Sequence, residues 1–163
     1  MNMFNETKYT IEKKRATLRP TYNIMDGNGN IVGYVKEQMV KPNYRFEDVD
    51  GTGLGEVRAV KNRHEVYDAQ NRLQATIKPA SGQRWKSPWR IVDSKDQLLA
   101  EIEQTSKFLR GKYQILAPDK SVITQMHLIV KSPFLPGGRS PSYRLEILQQ
   151  KLDSIVILSL FLL

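Results

Sequence analysis

Asp26, Asn28, Asn30 and Glu37 stand at the first, third, fifth and twelfth places of a calcium-loop pattern. The sixth place of that pattern needs Gly for its sharp turn, and here it is Ile31. Apolar residues alternate on both sides, so a hairpin turn is the better reading. Gly27, Gly29 and Gly33, and again Gly51, Gly53 and Gly55, mimic a phosphate-cradling glycine loop. Such loops need a strand before and a helix after, and here strands are read on both sides. His64 and His127 are the two histidines, each without neighbouring ligand types, whereas a metal site wants companions. No serine sits in a Gly-x-Ser-x-Gly elbow, and no motif positions a carboxylate pair for acid–base work. The expectation is therefore no catalytic residue, no metal site, no cofactor and no enzyme.

Binding chemistry is better represented. Arg84-Trp85-Lys86-Ser87-Pro88-Trp89-Arg90 offers phosphate contacts from Arg84, Lys86 and Arg90, and an interfacial aromatic in Trp85. Trp89 reads instead as the start of a strand that packs in the core. Lys13-Lys14-Arg15 is a second basic run, either a solvated segment or a phosphate-contacting patch. Phe134 and Leu135, in the Pro/Gly-rich segment Ser132 to Pro141, read either as a membrane-dipping tip or as a plug over a barrel mouth.

The balance of charge fits anionic partners. The net charge is +8, which favours phospholipid surfaces, nucleic acid or acidic proteins and also serves solubility. The chain has no cysteine, which rules out disulfides, thiol catalysis, cysteine zinc sites and palmitoylation and fits a reducing compartment. Met1 to Thr10 contains no apolar run, so no signal peptide is expected, and Asn2 breaks the myristoylation pattern. A length of 163 residues suits one domain, residues 1–163.

These residues must be positioned by hairpins. Tyr22 to Val35 reads strand, turn, strand, and the same grammar recurs over Phe46–Val57, Glu65–Ile77, Trp89–Ile102 and, more loosely, Tyr113–Thr124. An Asp at 26, 50, 68 and 93 marks the turns. On the exit strands Leu73, Ala75 and Ile77, and then Leu98, Ala100 and Ile102, alternate with polar residues, Leu99 being the exception, as in a sheet wetted on one face. Small residues in the middle of the inner face (Gly33, Ala75, Ala100) imply that something bulky comes close to it.

The bulky object is Leu152 to Leu163, which has no charge after Asp153. A bilayer span needs about 20 apolar residues, and this run offers about half of that. As a helix it is roughly 18 Å long, matching strands of six or seven residues at roughly 20 Å. A helix apolar all round is a buried helix, with Asp153 or Ser154 as its N-cap. A buried strand is the alternative, because Ile155, Val156 and Ile157 are β-branched.

Serial hairpins of the form Tyr-x-Ile-x-Asp-x-x-Gly-x-x-x-Gly (Tyr22, Ile24, Asp26, Gly29, Gly33), closed by a strand and an apolar C-terminal helix, resemble the LURP-one-related proteins. These group with phospholipid scramblases and the tubby C-terminal domain, and the resemblance covers roughly residues 8 to 163. It implies a closed antiparallel β-barrel of about twelve strands around a central hydrophobic helix. It also implies a non-enzymatic module that recognises anionic phospholipid or phosphoinositide headgroups through basic residues. Residues Lys13, Lys14, Arg15, Arg84, Trp85, Lys86 and Arg90 are assigned to that role by charge and context alone. The location expected is cytoplasmic, peripheral at a membrane. A nucleic-acid-binding barrel and a scramblase-like lipid-moving protein are the alternatives. The cysteine-rich and Pro-rich segments of scramblases are absent here, and of their acidic calcium segment only Asp153 remains.

Overall fold

A computed structural model describes residues 6–14, 17–39, 43–80, 88–105, 112–129 and 142–162. It contains twelve strands: β1 (Lys8–Lys13), β2 (Thr21–Asp26), β3 (Ile31–Glu37), β4 (Asn43–Asp48), β5 (Gly53–Val60), β6 (Arg63–Asp68), β7 (Leu73–Pro79), β8 (Trp89–Val92), β9 (Leu98–Gln104), β10 (Lys112–Leu116), β11 (Val122–Ile129) and β12 (Ser142–Ile147). Every strand is antiparallel to its sequence neighbours, and β12 returns to pair with β1, so the sheet closes into a barrel. Closure leaves no sheet edge with unpaired backbone groups. The closing register pairs Tyr9 with Leu145 and Ile11 with Tyr143. Tyr9 and Ile11 are fully buried.

One turn is built five times. Asp26, Asp48, Asp68 and Asp93 each accept hydrogen bonds on a side-chain oxygen from the backbone N–H groups two and four residues on. The residue three places on takes a positive φ, at Gly29, Gly51, Asn71 and Asp96. In the fifth copy Ala117 stands at the Asp position, Lys120 has the positive φ, and Asp119 accepts from the Ser121 N–H instead. A register shift falls just before each turn. Such a bulge adds local twist, which helps a sheet to curl. The second turn is therefore organised by Asp48, not by Asp50 as sequence spacing suggested. Asp50 only donates its N–H to Asp48.

The tail fills the interior. Helix α1 (Ser154–Leu158) continues directly into a 3-10 turn, Ser159–Leu162. Asp153 is the N-cap, accepting from the Ile155 N–H at 2.9 Å. Val156, Ile157, Leu158, Leu160 and Phe161 join one cluster with the inward residues of the strands. The 3-10 geometry rises about 2.0 Å per residue against about 1.5 Å in an α-helix, so four residues reach further along a narrow lumen. Phe161 ends that reach in edge contact with Tyr22 at 4.9 Å, and lies 5.6 Å from Tyr143. Seven residues after each turn Asp stands an inward position held by Gly33, Gly55, Ala75 or Ala100. At Gly55 a Cβ would lie 2.9 Å from Ile155 Cδ1 and 2.6 Å from the Tyr67 carbonyl oxygen, so the helix rests where the wall has no side chain. Leu98, read as inward, is exposed at the end of β9, while Ala100 and Ile102 are buried.

Candidate functional site

Alternation along a closed sheet sends half the strand side chains into the lumen and half to the outer wall. On the wall, cations are mostly tied to carboxylates of the neighbouring strand or of their own. Lys36 reaches Glu47 at 2.6 Å, Arg58 reaches Glu56 at 3.1 Å and Arg63 reaches Glu65 at 2.8 Å. Arg58 also stacks over the Tyr67 ring at 4.0 Å. The Tyr67 hydroxyl, and then Arg63, hold the Glu65 carboxyl below its ordinary range. Arg90 belongs to this set. It pairs in register with Lys78 on one side and Glu101 on the other, and lies 3.7 Å from Glu101, which Lys120 also contacts at 2.9 Å.

The two mouths differ in charge. The tight turns, with Asp26, Asp48, Asp68, Asp93 and Asp119, gather at one mouth together with Asp153. The connections β1–β2, β3–β4, β5–β6, β7–β8, β9–β10 and β11–β12 join strand ends at the other. In sequence, every charged residue in those six connections is Lys or Arg. Their described portions include Lys14, Arg19 and Lys61. The β1–β2 and β3–β4 connections are tied together where the Glu37 N–H donates to the Pro20 carbonyl at 3.0 Å. Beside that bond Leu18 is fully exposed, and Met39 is 73% exposed.

Of the residues singled out from sequence, Lys13 is the exposed last residue of β1, at this basic mouth. Lys14 follows it, its N–H donating to the Thr21 carbonyl at 2.7 Å. Arg90 stands on the wall in the ion-paired row. Arg15, Arg84, Trp85, Lys86, Phe134 and Leu135 lie outside the described residues. Trp89 begins β8 and packs against the core, 6.3 Å from His64. The calcium-loop set is not brought together. Asp26 spends its carboxylate on Asn28 and Asn30, while Glu37 ends β3 at the opposite mouth. His64 is buried and His127 is exposed, so the two histidines share no site.

Sequence reading missed a groove of about 670 Å³ on the outer wall across β2, β1, β12 and β11. Lys8, Thr10, Gln125, His127, Arg144 and Glu146 line it. In its floor Tyr9 is buried, and burial pushes its hydroxyl up to about 12. His127 was visible in sequence only as an isolated histidine, and nothing in the sequence singled out Arg144. The pairing of β12 with β1 and β11 makes them neighbours.

A closed twelve-stranded antiparallel barrel plugged by its own C-terminal helix, with a basic mouth and a polar wall groove, is a tubby-like barrel. The LURP-one-related family model matches residues 7–163, and the chain belongs to that family. Among solved structures it is similar to an Arabidopsis thaliana protein known from an X-ray structure. The two are 18% identical over 94% of this chain and 87% of that one, with a TM-score of 0.61, a likeness of fold. No curated protein matches the chain.

Proposed function

We propose that the chain is a non-enzymatic binding module that docks its basic mouth on membranes bearing anionic phospholipid or phosphoinositide headgroups. The observation that supports this is the coincidence, at one mouth, of cations without an ion-pair partner among the described residues and of two exposed apolar side chains. Lys13, Lys14, Arg19 and Lys61 have no ion-pair partner among the described residues, unlike most cations of the wall. Leu18 and Met39 project from adjacent connections. Each cation near an anionic surface contributes about 1 kcal/mol. Immersing Leu or Met adds about 1.5–3 kcal/mol when burial is complete. One such signal gives only marginal, reversible binding, and stable anchoring takes two together. Arg90 contributes less in this reading, because Glu101 already holds it.

The test is co-sedimentation with phosphatidylcholine vesicles, with and without anionic lipid, beside a DNA shift at the same salt. Binding is expected only with anionic lipid. The Lys13→Gln, Lys14→Gln, Arg19→Gln triple variant should lose on the order of a hundredfold. A Leu18→Ser, Met39→Ser variant should lose about tenfold. Undiminished vesicle binding by the charge variant would reject this mouth. Binding of DNA alone, falling steeply with salt, would favour the nucleic-acid reading.

A further inference from the structure

We infer that Lys112, His127 and Arg144 form a discrete phosphate-binding row on the outer wall, which takes a phosphomonoester with a hydroxylated body in the adjoining groove. The three residues are direct cross-strand neighbours: Lys112 pairs with His127, and His127 with Arg144. Directly opposed Cβ atoms stand about 4.5–5.5 Å apart, so one phosphate can reach His127 and Arg144 together.

What marks the row is the lack of a carboxylate. Apart from Lys13 at the basic mouth, the other Lys and Arg of the described strands each have one: Lys8 with Glu146, Lys36 and Arg45 with Glu47, Arg58 with Glu56, Arg63 with Glu65, Lys78 with Asp96, and Arg90 with Glu101. The side chains of Lys112 and Arg144 make no hydrogen bond or ion pair among the described residues. Like charges facing one another across a sheet destabilise it. Elsewhere on the wall the facing cations, Lys36 with Arg45 and Lys78 with Arg90, are offset by the carboxylates of Glu47, Asp96 and Glu101, and an anion at this row would serve the same end.

The surroundings complete a site. From Arg144 the row continues to Thr10 on β1, whose hydroxyl can donate or accept. Gln125 lies two residues from His127 on the same strand and faces the same groove. The groove volume falls within the roughly 300–1,000 Å³ typical of small-molecule sites. Arg is the side chain suited to bidentate phosphate contact. The groups facing His127 are Lys112 and Gln114 on β10, and Arg144 and Glu146 on β12, with Glu146 engaged by Lys8 at 3.9 Å. Glu12 and Asp26 border the groove further off, on β1 and β2.

This site is separate from the mouth and stands whether or not the mouth docks on membranes. The probes are inorganic phosphate, a soluble inositol monophosphate, and vesicles carrying a phosphomonoester lipid or only phosphatidylserine. Titration calorimetry should show the soluble monoester binding. Arg144→Gln should weaken it tenfold or more with an unchanged melting temperature. His127→Leu should weaken it at least threefold, and His127→Lys should restore the affinity. A monoester that binds free but not on vesicles identifies a soluble ligand. Preference for monoester vesicles over phosphatidylserine, lost in Arg144→Gln, identifies a lipid headgroup. If no monoester binds in either form, or if Arg144→Gln binds as well as the parent, the row is not a site, even where vesicle binding through Lys13 and Lys14 persists.

Discussion

Gly55 shows how closely the wall and its plug are fitted. It holds the same place after its turn Asp as Gly33, Ala75 and Ala100 do in theirs. Sequence alternation pointed to three of these four positions as the inner face, and their small size pointed to a close neighbour. Which neighbour, and which position it touches most tightly, depends on the azimuth of a helix, and strand periodicity does not encode that. Gly55→Val would drive a branched side chain into Ile155 and against the Tyr67 carbonyl oxygen. The oxygen belongs to a paired strand and cannot move aside. Overpacking of this kind costs about 1–3 kcal/mol, so the melting temperature should fall by roughly 3–10 °C. An unchanged melting curve would mean that the helix shifts freely inside the barrel.

At the scale of elements, the turns were legible because Asp, Gly and Asn have local reasons to be there. The side chain of Asp caps the backbone of the next few residues, and Gly or Asn tolerates a positive φ. The misassignment of Asp50 for Asp48 has the same origin. Two Asp residues bracket one turn, and only the bulge before Glu47 decides which of them caps it. These turns also carry an acid dependence. Backbone N–H groups, of Asn30 for Asp26 and of Arg72 for Asp68, hold those carboxyls below their ordinary range, and Ser121 does the same for Asp119. A folded-state value below the unfolded one contributes stability that is complete above about pH 4–5 and is lost as pH falls through the folded value. The urea midpoint should therefore stay level from pH 7 to about 5 and decline below about 4. An Asp26→Asn, Asp68→Asn variant should start lower at neutral pH and decline less steeply. An acid limb as steep as that of the parent would place its origin elsewhere, with Glu65 the first candidate.

At the scale of the whole molecule, the barrel is polarised from end to end, and the cause is topological. In an up-and-down barrel alternate connections fall at opposite mouths, so a set of turns in which Asp outnumbers Arg72, Lys95 and Lys120, opposite a set charged only by Lys and Arg, separates charge across the molecule. The basic runs were legible in sequence, but their gathering at one mouth was not, because strands β1 and β12 meet across almost the full length of the chain. The wall groove was hidden for the same reason. In the proposed docking on an anionic bilayer, this polarity would set the orientation, with the cationic mouth toward the surface and the Asp-rich mouth repelled. The absence of cysteine makes the orientation directly measurable, since each introduced thiol is the only one to label. An environment-sensitive fluorophore on Met39→Cys, beside Leu18, should blue-shift and become shielded from aqueous quenchers when anionic vesicles are added. The same fluorophore on Asp50→Cys, in a turn of the opposite mouth, should stay exposed. Raising the salt from about 0.1 M to 1 M shortens the screening length from about 10 Å to about 3 Å and should reverse the Met39 signal. Equal shifts at both positions would mean that the barrel meets the surface without a preferred end, and the docking reading would fail with the polarity intact.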